Sequence, residues 1–298
     1  MGDRGQPGAF GRRGRAVSRG PGGRRSPATR RPGARGTGKG TPLAKKEDRG
    51  VERIALEAHD EVALLRLTHR TPNALDPETV AAIGEALPRI AASFGGLVLA
   101  GNGKFFSIGL DVPRLLSFGR EEMSAFWNGF EDLAVELLEF PLPTACAVTG
   151  HATGGGAILA LACDLRFGAA GRRLFALNEV QIGVPVPYLA HLLLARLVSD
   201  RTALDIEWRS RFLEPEEALR LGILDGLVAP EELEAQAVAA VRELGRLPRQ
   251  ALSVTRGHRN RQLVAEFRAR RAALNAEFLD CWFSPRAQEL LAAAAKRF

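Results

Sequence analysis

The sequence predicts an α/β fold on three observations. Strand-turn-helix units recur along the chain, one of them carries three consecutive glycines where strand period gives way to helical period, and helices dominate toward the C-terminus. The glycine unit runs from Pro143 to Asp164. Ala145, Ala147 and Val148 read as a buried strand and Ile158, Leu159, Leu161 and Ala162 as a buried helix, with Gly154, Gly155 and Gly156 between them. Such a turn leaves backbone N–H groups at a helix N-terminus, where an anion or a developing oxyanion is stabilised. Plain close packing is the equal alternative from this stretch alone. A phosphate loop is disfavoured, because no Gly-Lys-Ser/Thr follows and the G-x-G-x-x-G spacing is absent. Pro141, Pro143 and the glycines break the apolar run Phe140 to Cys163 into two elements, which argues against a membrane span.

The 298 residues suffice for one large domain with an appendage, or for two domains. Residues 1–50 hold 14 Lys/Arg against 3 Asp/Glu, and the rest of the chain 27 against 31, so the basic balance belongs to the N-terminal segment and the remainder is mildly acidic. That segment is Arg, Gly and Pro with hardly a large apolar residue, so it reads as a disordered tail. Three roles stay open for it: polyanion binding such as RNA, targeting, or none, with Val51 as an alternative start. A nucleic-acid partner is an open expectation through this tail alone. Cys146, Cys163 and Cys281 are widely spaced in apolar surroundings, which fits a reducing, cytoplasmic setting and predicts neither disulfides nor a metal site.

From Val51 the elements follow in order. Arg53–Glu57 and Val62–Leu67 make two strands about the turn 59–61. Asp76 at the N-cap and Pro77 in the first turn start a helix reaching about Ala92. Gly96–Gly101 is a short buried strand, Lys104–Asp111 a second glycine-containing strand exit, and Arg120 to Glu139 an amphipathic helix. After the glycine unit come a strand at Arg166–Gly168 and the segment Leu174–Gly183. Helical pattern then covers Leu189–Val198 and Glu216–Leu221, a strand spans Leu224–Val228, and long helices run from Glu231. The implied division is a tail at 1–50, an α/β core at 51–230 and a helical region at 231–298.

Two stretches, Phe106-Ser107-Ile108-Gly109-Leu110-Asp111 and Gly150-His151-Ala152-Thr153-Gly154-Gly155-Gly156-Ala157 with Leu161-Ala162-Cys163-Asp164 after it, resemble the paired signatures of the enoyl-CoA hydratase/isomerase (crotonase) superfamily. The resemblance covers about residues 51–298. It implies a spiral of β-β-α units, a helical C-terminal region that trimerises, a homotrimer or hexamer, and an acyl-CoA thioester substrate. It implies no cofactor, coenzyme A being part of the substrate. By the same resemblance the thioester oxygen lies between the backbone N–H groups of Leu110 and Gly155, with Ser107, Ile108, Gly109 and Asp111 among the substrate-binding positions.

Hydratases of the superfamily carry one glutamate two residues after the three glycines and a second further on. Here the first position is Ile158 and the second matches Glu179, in Leu177-Asn178-Glu179. Keeping only the second glutamate resembles the mitochondrial-type 3,2-enoyl-CoA isomerases, as do Asn178, a substrate-contacting position there, and the segment Pro215–Ile223. Hydration calls for two carboxyls to activate water and deliver a proton, whereas moving a double bond from C3 to C2 needs one base. The resemblance therefore implies isomerisation of 3-enoyl-CoA in unsaturated fatty acid β-oxidation, with Glu179 as base. Another enolate-based acyl-CoA reaction, hydration included, and a non-catalytic protein with an RNA-binding tail remain alternatives. His151 reads as a structural hydrogen-bonder, Asp111 and Asp164 as turn and capping residues, and Phe126, Trp127 and Phe130 as core or acyl-pocket lining.

Overall fold

The computed structural model describes residues 52–296. The basic tail predicted at 1–50 lies outside the described residues. β1 (Ile54–His59) and β2 (Val62–Leu67) form the expected antiparallel hairpin, turning at Asp60 with φ 54°. α1 (Pro77–Ser93) starts where the sequence says: the Asp76 carboxylate accepts the Thr79 N–H at 2.8 Å, satisfying one of the orphan donors of the first turn. β3 (Gly96–Ala100), β4 (Phe105–Ser107), α2 (Val112–Leu115) and α3 (Arg120–Glu139) follow. β5 (Thr144–Val148), β6 (His151–Thr153) and α4 (Gly155–Ala162) make the glycine unit. Then come β7 (Leu165–Ala169), β8 (Phe175–Ala176), a 3-10 turn at Val180–Ile182 and α5 (Tyr188–Leu194). The chain continues through α6 (Asp200–Trp208), β9 (Phe212–Leu213), α7 (Pro215–Arg220), β10 (Gly226–Val228), α8 (Leu233–Gly245), α9 (Arg249–Trp282) and α10 (Pro285–Ala295).

Successive β-β-α turns place their first strand in a six-stranded sheet, order β1-β2-β3-β5-β7-β10, and their second in a four-stranded sheet, order β4-β6-β8-β9. Strands β2, β3, β5, β7 and β10 pair in parallel, as crossovers through helices require. This is the spiral of the crotonase fold. α5 stops at Leu194 rather than Val198, and α6, capped by Ser199, falls outside the predicted elements.

The large sheet is covered on both faces, which is why its strands read as continuous apolar runs. On one face Val62, Leu64, Val98, Ala145 and Ala147 pack against Leu233, Ala237, Val238 and Val241 of α8. Each large side chain buried there contributes about 1.5–3 kcal/mol. On the other face Leu65, Leu97, Leu99 and Cys146 join α1, α3 and α4 in the main core. α9 lies along α3, and α10 packs against α2 and the 3-10 turn. Helix α4 packs tightly on β4 at Gly156, where a Cβ would stand 2.4 Å from the Ser107 carbonyl oxygen. Among the described residues no helix is long and apolar enough to cross a membrane. Cys146 and Cys163 are buried, but Cys281 is exposed because its turn of α9 faces outward.

Candidate active site

The two signature stretches lie side by side. The loop after β4 is braced by the segment before α1: Ile108 N–H donates to the Pro72 carbonyl at 3.0 Å, Leu75 N–H to Gly109 at 2.8 Å, and Asp111 N–H to Leu75 at 2.9 Å. Leu75 and Leu110 thus form a parallel bridge that uses the Gly109 carbonyl and the Asp111 amide. In that geometry the Leu110 N–H points away from Leu75. Gly155 is the first residue of α4, so its N–H has no carbonyl four residues back to bond. Thr153 joins the loops through its hydroxyl, which donates to the Ile108 carbonyl at 2.8 Å. Gly109, at φ 97°, approaches so closely that a Cβ there would sit 2.7 Å from the Thr153 carbonyl oxygen and 3.0 Å from the Gly155 nitrogen. Two amides on adjoining loops are the geometry that cradles one oxygen, with the dipole of α4 added.

Glu179 stands opposite the turn. A Cβ placed on Gly154 would lie 3.8 Å from its Oε1 and 3.9 Å from the Asn178 Oδ1. Glu179 heads the 3-10 turn, its carbonyl accepting from Ile182 at 3.0 Å and Val184 at 3.2 Å. The turn is held from two sides. Gln181 N–H donates to the Ser210 hydroxyl at 3.1 Å, and Gly183, at φ 85°, lets Ala287 of α10 come so close that a Cβ would meet its Cα at 2.9 Å. The carboxyl is 7% exposed, and burial pushes it up to about 8, its own backbone hydrogen bond working against that shift and the nearby Glu207 carboxylate adding to it. Glu207 itself is buried against the His191 ring at 3.1 Å and is raised by burial, with His191 opposing.

Both loops and Glu179 open on one cavity of about 500 Å³. Its partly exposed lining, at Phe105, His151, Leu174 and Phe212, marks the entrance, and Trp127, Phe130, Ile158 and Trp282 close a buried apolar end. Two buried polar atoms without a partner, Glu179 Oε2 and Trp282 Nε1, belong to lining residues, which is a site poised for a ligand rather than a finished core.

Of the residues expected from sequence, Glu179, Asn178, Leu110, Gly155 and Ile108 line the cavity together. Ser107, Gly109 and Asp111 do not. Ser107 donates to the Asn73 carbonyl at 2.7 Å and accepts from Gly109 N–H, and Asp111 caps α2 by accepting the Arg114 N–H at 3.1 Å. They build the loop and leave the cavity to their neighbours. His151 accepts the Leu174 N–H at its Nδ1, and burial, helped by Arg172, Lys104 and Arg173, holds its pKa below the usual value. Asp164 receives Thr144 and pairs with Arg256. Trp127 and Phe130 line the cavity, while Phe126 faces α1. Sequence reasoning missed the contributions of Phe212 and of the C-terminal helices, Phe278, Trp282 and Leu290 among them. Their one signal was aromatic and apolar residues in an otherwise polar α9, which reads equally as core.

Among the described residues His69, Asp76 and Asp111 form the one group of metal-ligating type, set under the loop. Asp76 there pairs with Arg53 at 2.8 Å and Arg114 at 2.9 Å, so cations of the chain already balance its charge.

A family model described as enoyl-CoA hydratase/isomerase matches residues 57–289. Enoyl-CoA delta isomerase 3 of Arabidopsis thaliana is 34% identical over 177 residues, 57% of this chain and 74% of that protein. The solved structure of human mitochondrial delta3-delta2-enoyl-CoA isomerase matches with TM-score 0.79 at 24% identity, over 83% of this chain and 98% of that one, a likeness of fold. An enoyl-CoA hydratase of Mycobacterium ulcerans matches with TM-score 0.72 at 29% identity, over 76% of this chain and 100% of its own.

Proposed function

The chain belongs to the enoyl-CoA hydratase/isomerase family, and from that premise we propose that it is a single-base isomerase that converts a 3-enoyl-CoA to the 2-trans-enoyl-CoA. One observation carries the reading: Glu179 is the one carboxylate among the described residues that lines the cavity, buried and with Oε2 unpartnered, while Ile158 lines it too. In this scheme the thioester oxygen accepts from the Leu110 and Gly155 amides, which makes the C2 proton acidic. Glu179 removes that proton, the negative charge spreads over the dienolate and is held by the two amides, and the newly formed carboxylic acid returns the proton to C4. A carboxyl raised to about 8 is suited to both halves, since it gives up and takes a proton near neutral pH. With the apolar Ile158 in the lining, the cavity offers no second carboxylate among the described residues to activate a water. Asn178, half-buried beside the base, positions the thioester or the carboxyl.

Coenzyme A as the carrier fits the entrance. Lys104, Arg172 and Arg173 act on His151 at the entrance, Lys104 lying 5.5 Å over the Phe105 ring, and with Glu214 as the one opposing charge they leave that side net positive for phosphates. Exposed Val180, in the 3-10 turn, and Trp208, at the end of α6, at 46% and 71%, favour assembly into a homotrimer or hexamer that would cover them. The deciding experiment is a coupled assay with 3-hexenoyl-CoA and, separately, crotonyl-CoA, on the wild type and Glu179→Gln. Isomerisation that is lost in the variant and exceeds hydration is the expected result. Hydration exceeding isomerisation, or activity surviving the substitution, overturns the assignment.

A further inference from the structure

We propose that the stacked pair Trp127 and Phe278 is the stop that limits the acyl chain, so that this enzyme prefers short and medium acyl-CoA to long. The inference rests on the acyl-CoA reading of the cavity. With the carbonyl between Leu110 and Gly155 and the carrier at the half-exposed entrance, the acyl tail runs into the buried apolar end. There the Trp127 ring of α3 and the Phe278 ring of α9 lie face to face, centroids 3.8 Å apart and planes 7° from parallel, at 2% and 4% exposure.

Behind the pair is a second cavity of about 360 Å³. Trp127, Phe278 and Pro187 line both cavities, so these three residues are the partition between them. The far side differs in character. It is lined by Glu131, His191 and Glu207 and passes Trp208 and Val180, both exposed. The partition is rigid. Trp127 Nε1 donates to Asn275 Oδ1 at 3.2 Å, and Asn275 donates in turn to Glu131 Oε2 at 2.8 Å, a carboxylate paired with Arg271 at 3.1 Å. A side chain fixed by a buried polar network holds its rotamer, and moving it would leave the Asn275 Oδ1 without its donor. A methylene chain that reached the pair would have to displace that network or fold back.

The test measures kcat/KM for 3-enoyl-CoA substrates of 6, 8, 10, 12 and 16 carbons, together with calorimetric binding of octanoyl-CoA and palmitoyl-CoA, which need no isomerisation. In the wild type kcat/KM should climb by up to about fourfold per added methylene while the chain fills the apolar end, then fall, and octanoyl-CoA should bind more tightly than palmitoyl-CoA. Phe278→Ala joins the two cavities. Admitting even two further methylenes raises the 16-carbon to 6-carbon ratio by about tenfold or more, and palmitoyl-CoA binding should strengthen relative to octanoyl-CoA. Phe278→Leu, a milder change for a variant that must fold, should move both ratios in the same direction by less. A wild type that handles 16 carbons as well as 8, or ratios unmoved in both variants, overturns the proposal. If no 3-enoyl-CoA is turned over but the binding ratio shows the stop and shifts in Phe278→Ala, the isomerase reading fails and the stop stands.

Discussion

Replacing Glu179 with Gln should abolish the activity and yet stabilise the protein at alkaline pH, and the two effects share one cause. The carboxyl is buried and lifted from its usual 4.5 to about 8, chiefly by desolvation. A group that binds its proton more tightly folded than unfolded favours the native state while protonated, and this contribution is lost as pH rises from about 4.5 through about 8. At about 1.4 kcal/mol per decade, holding the carboxylate ionised in the native state above pH 8 costs on the order of 5 kcal/mol at most. Gln has nearly the same shape and does not titrate. Urea unfolding of both proteins at pH 6 and pH 9 isolates the effect, because Glu131, also raised by burial, titrates in both and cancels, while the coupling between Glu207 and Glu179 is part of what the substitution removes. The wild type should lose about 3 kcal/mol relative to Glu179→Gln between the two pH values, seen in melting as a relative shift of about 5–10 °C. In parallel, wild-type kcat/KM should rise with pH and level off above about 8, as the base must be ionised to take the C2 proton. Identical pH dependence of stability in the two proteins would refute the reasoning, because it would mean that water reaches the carboxyl and that burial does not tune it.

Three further outcomes follow from the loop geometry. Gly155→Pro removes one proposed oxyanion donor at a helix position where proline is tolerated, and kcat should fall about 100- to 1000-fold below that of Gly155→Ala, which keeps the N–H while crowding Leu110 and Leu75 at 3.2 Å in the same way. Gly156→Ala forces a Cβ to within 2.4 Å of the Ser107 carbonyl and should cost about 2–3 kcal/mol in urea unfolding, since β4 and α4 must separate. Ile158→Glu brings a second carboxyl into the cavity. It should raise the ratio of crotonyl-CoA hydration to 3-hexenoyl-CoA isomerisation and shift the pH midpoint of isomerisation upward, and an unchanged ratio would count against the one-base scheme.

The elements that sequence reading located are those whose signals are local. α3 was legible at both ends, Arg120 and Glu139, because twenty residues of amphipathic period outweigh any ambiguity. Asp76 and Pro77 announced the start of α1 as an N-cap and a first-turn proline. The two-residue strands β8 and β9 carry no period, and α6 is too polar to stand out, so the second sheet was seen only as glycine-bounded exits. The site divides along the same line. The amides at Leu110 and Gly155 sit in motifs whose glycines, Gly109 and Gly156, the close backbone approach demands, and Glu179 lies in a motif read by resemblance. Ser107 and Asp111 belong to those motifs too, but their side chains serve the loop, a distinction that only hydrogen-bond partners reveal. Phe278, Trp282 and Leu290 are 99 to 111 residues beyond Glu179 in the chain and reach the cavity by tertiary packing, which no local pattern encodes.

A buried carboxyl proposed as the base must also be held still, and part of the support comes from the turn after α6. Ser210, buried and at φ 48°, takes up the Gln181 N–H two residues beyond Glu179. A left-handed backbone at a non-glycine residue carries a cost of about 1 kcal/mol, so the hydroxyl rather than the conformation explains serine here. Ser210→Gly removes the hydroxyl while easing the backbone, and the two effects on stability, each about 1 kcal/mol, nearly cancel. Activity is then the informative readout. With the Gln181 amide unpaired the 3-10 turn loosens, water gains access to the carboxyl, and the pH midpoint of kcat/KM should drop below the wild-type value of about 8 while kcat falls several-fold. A residue that only stabilised the fold would leave the midpoint where it was. An unmoved midpoint in a variant of unchanged melting temperature would assign the placement of Glu179 to the α10 contact at Gly183 alone.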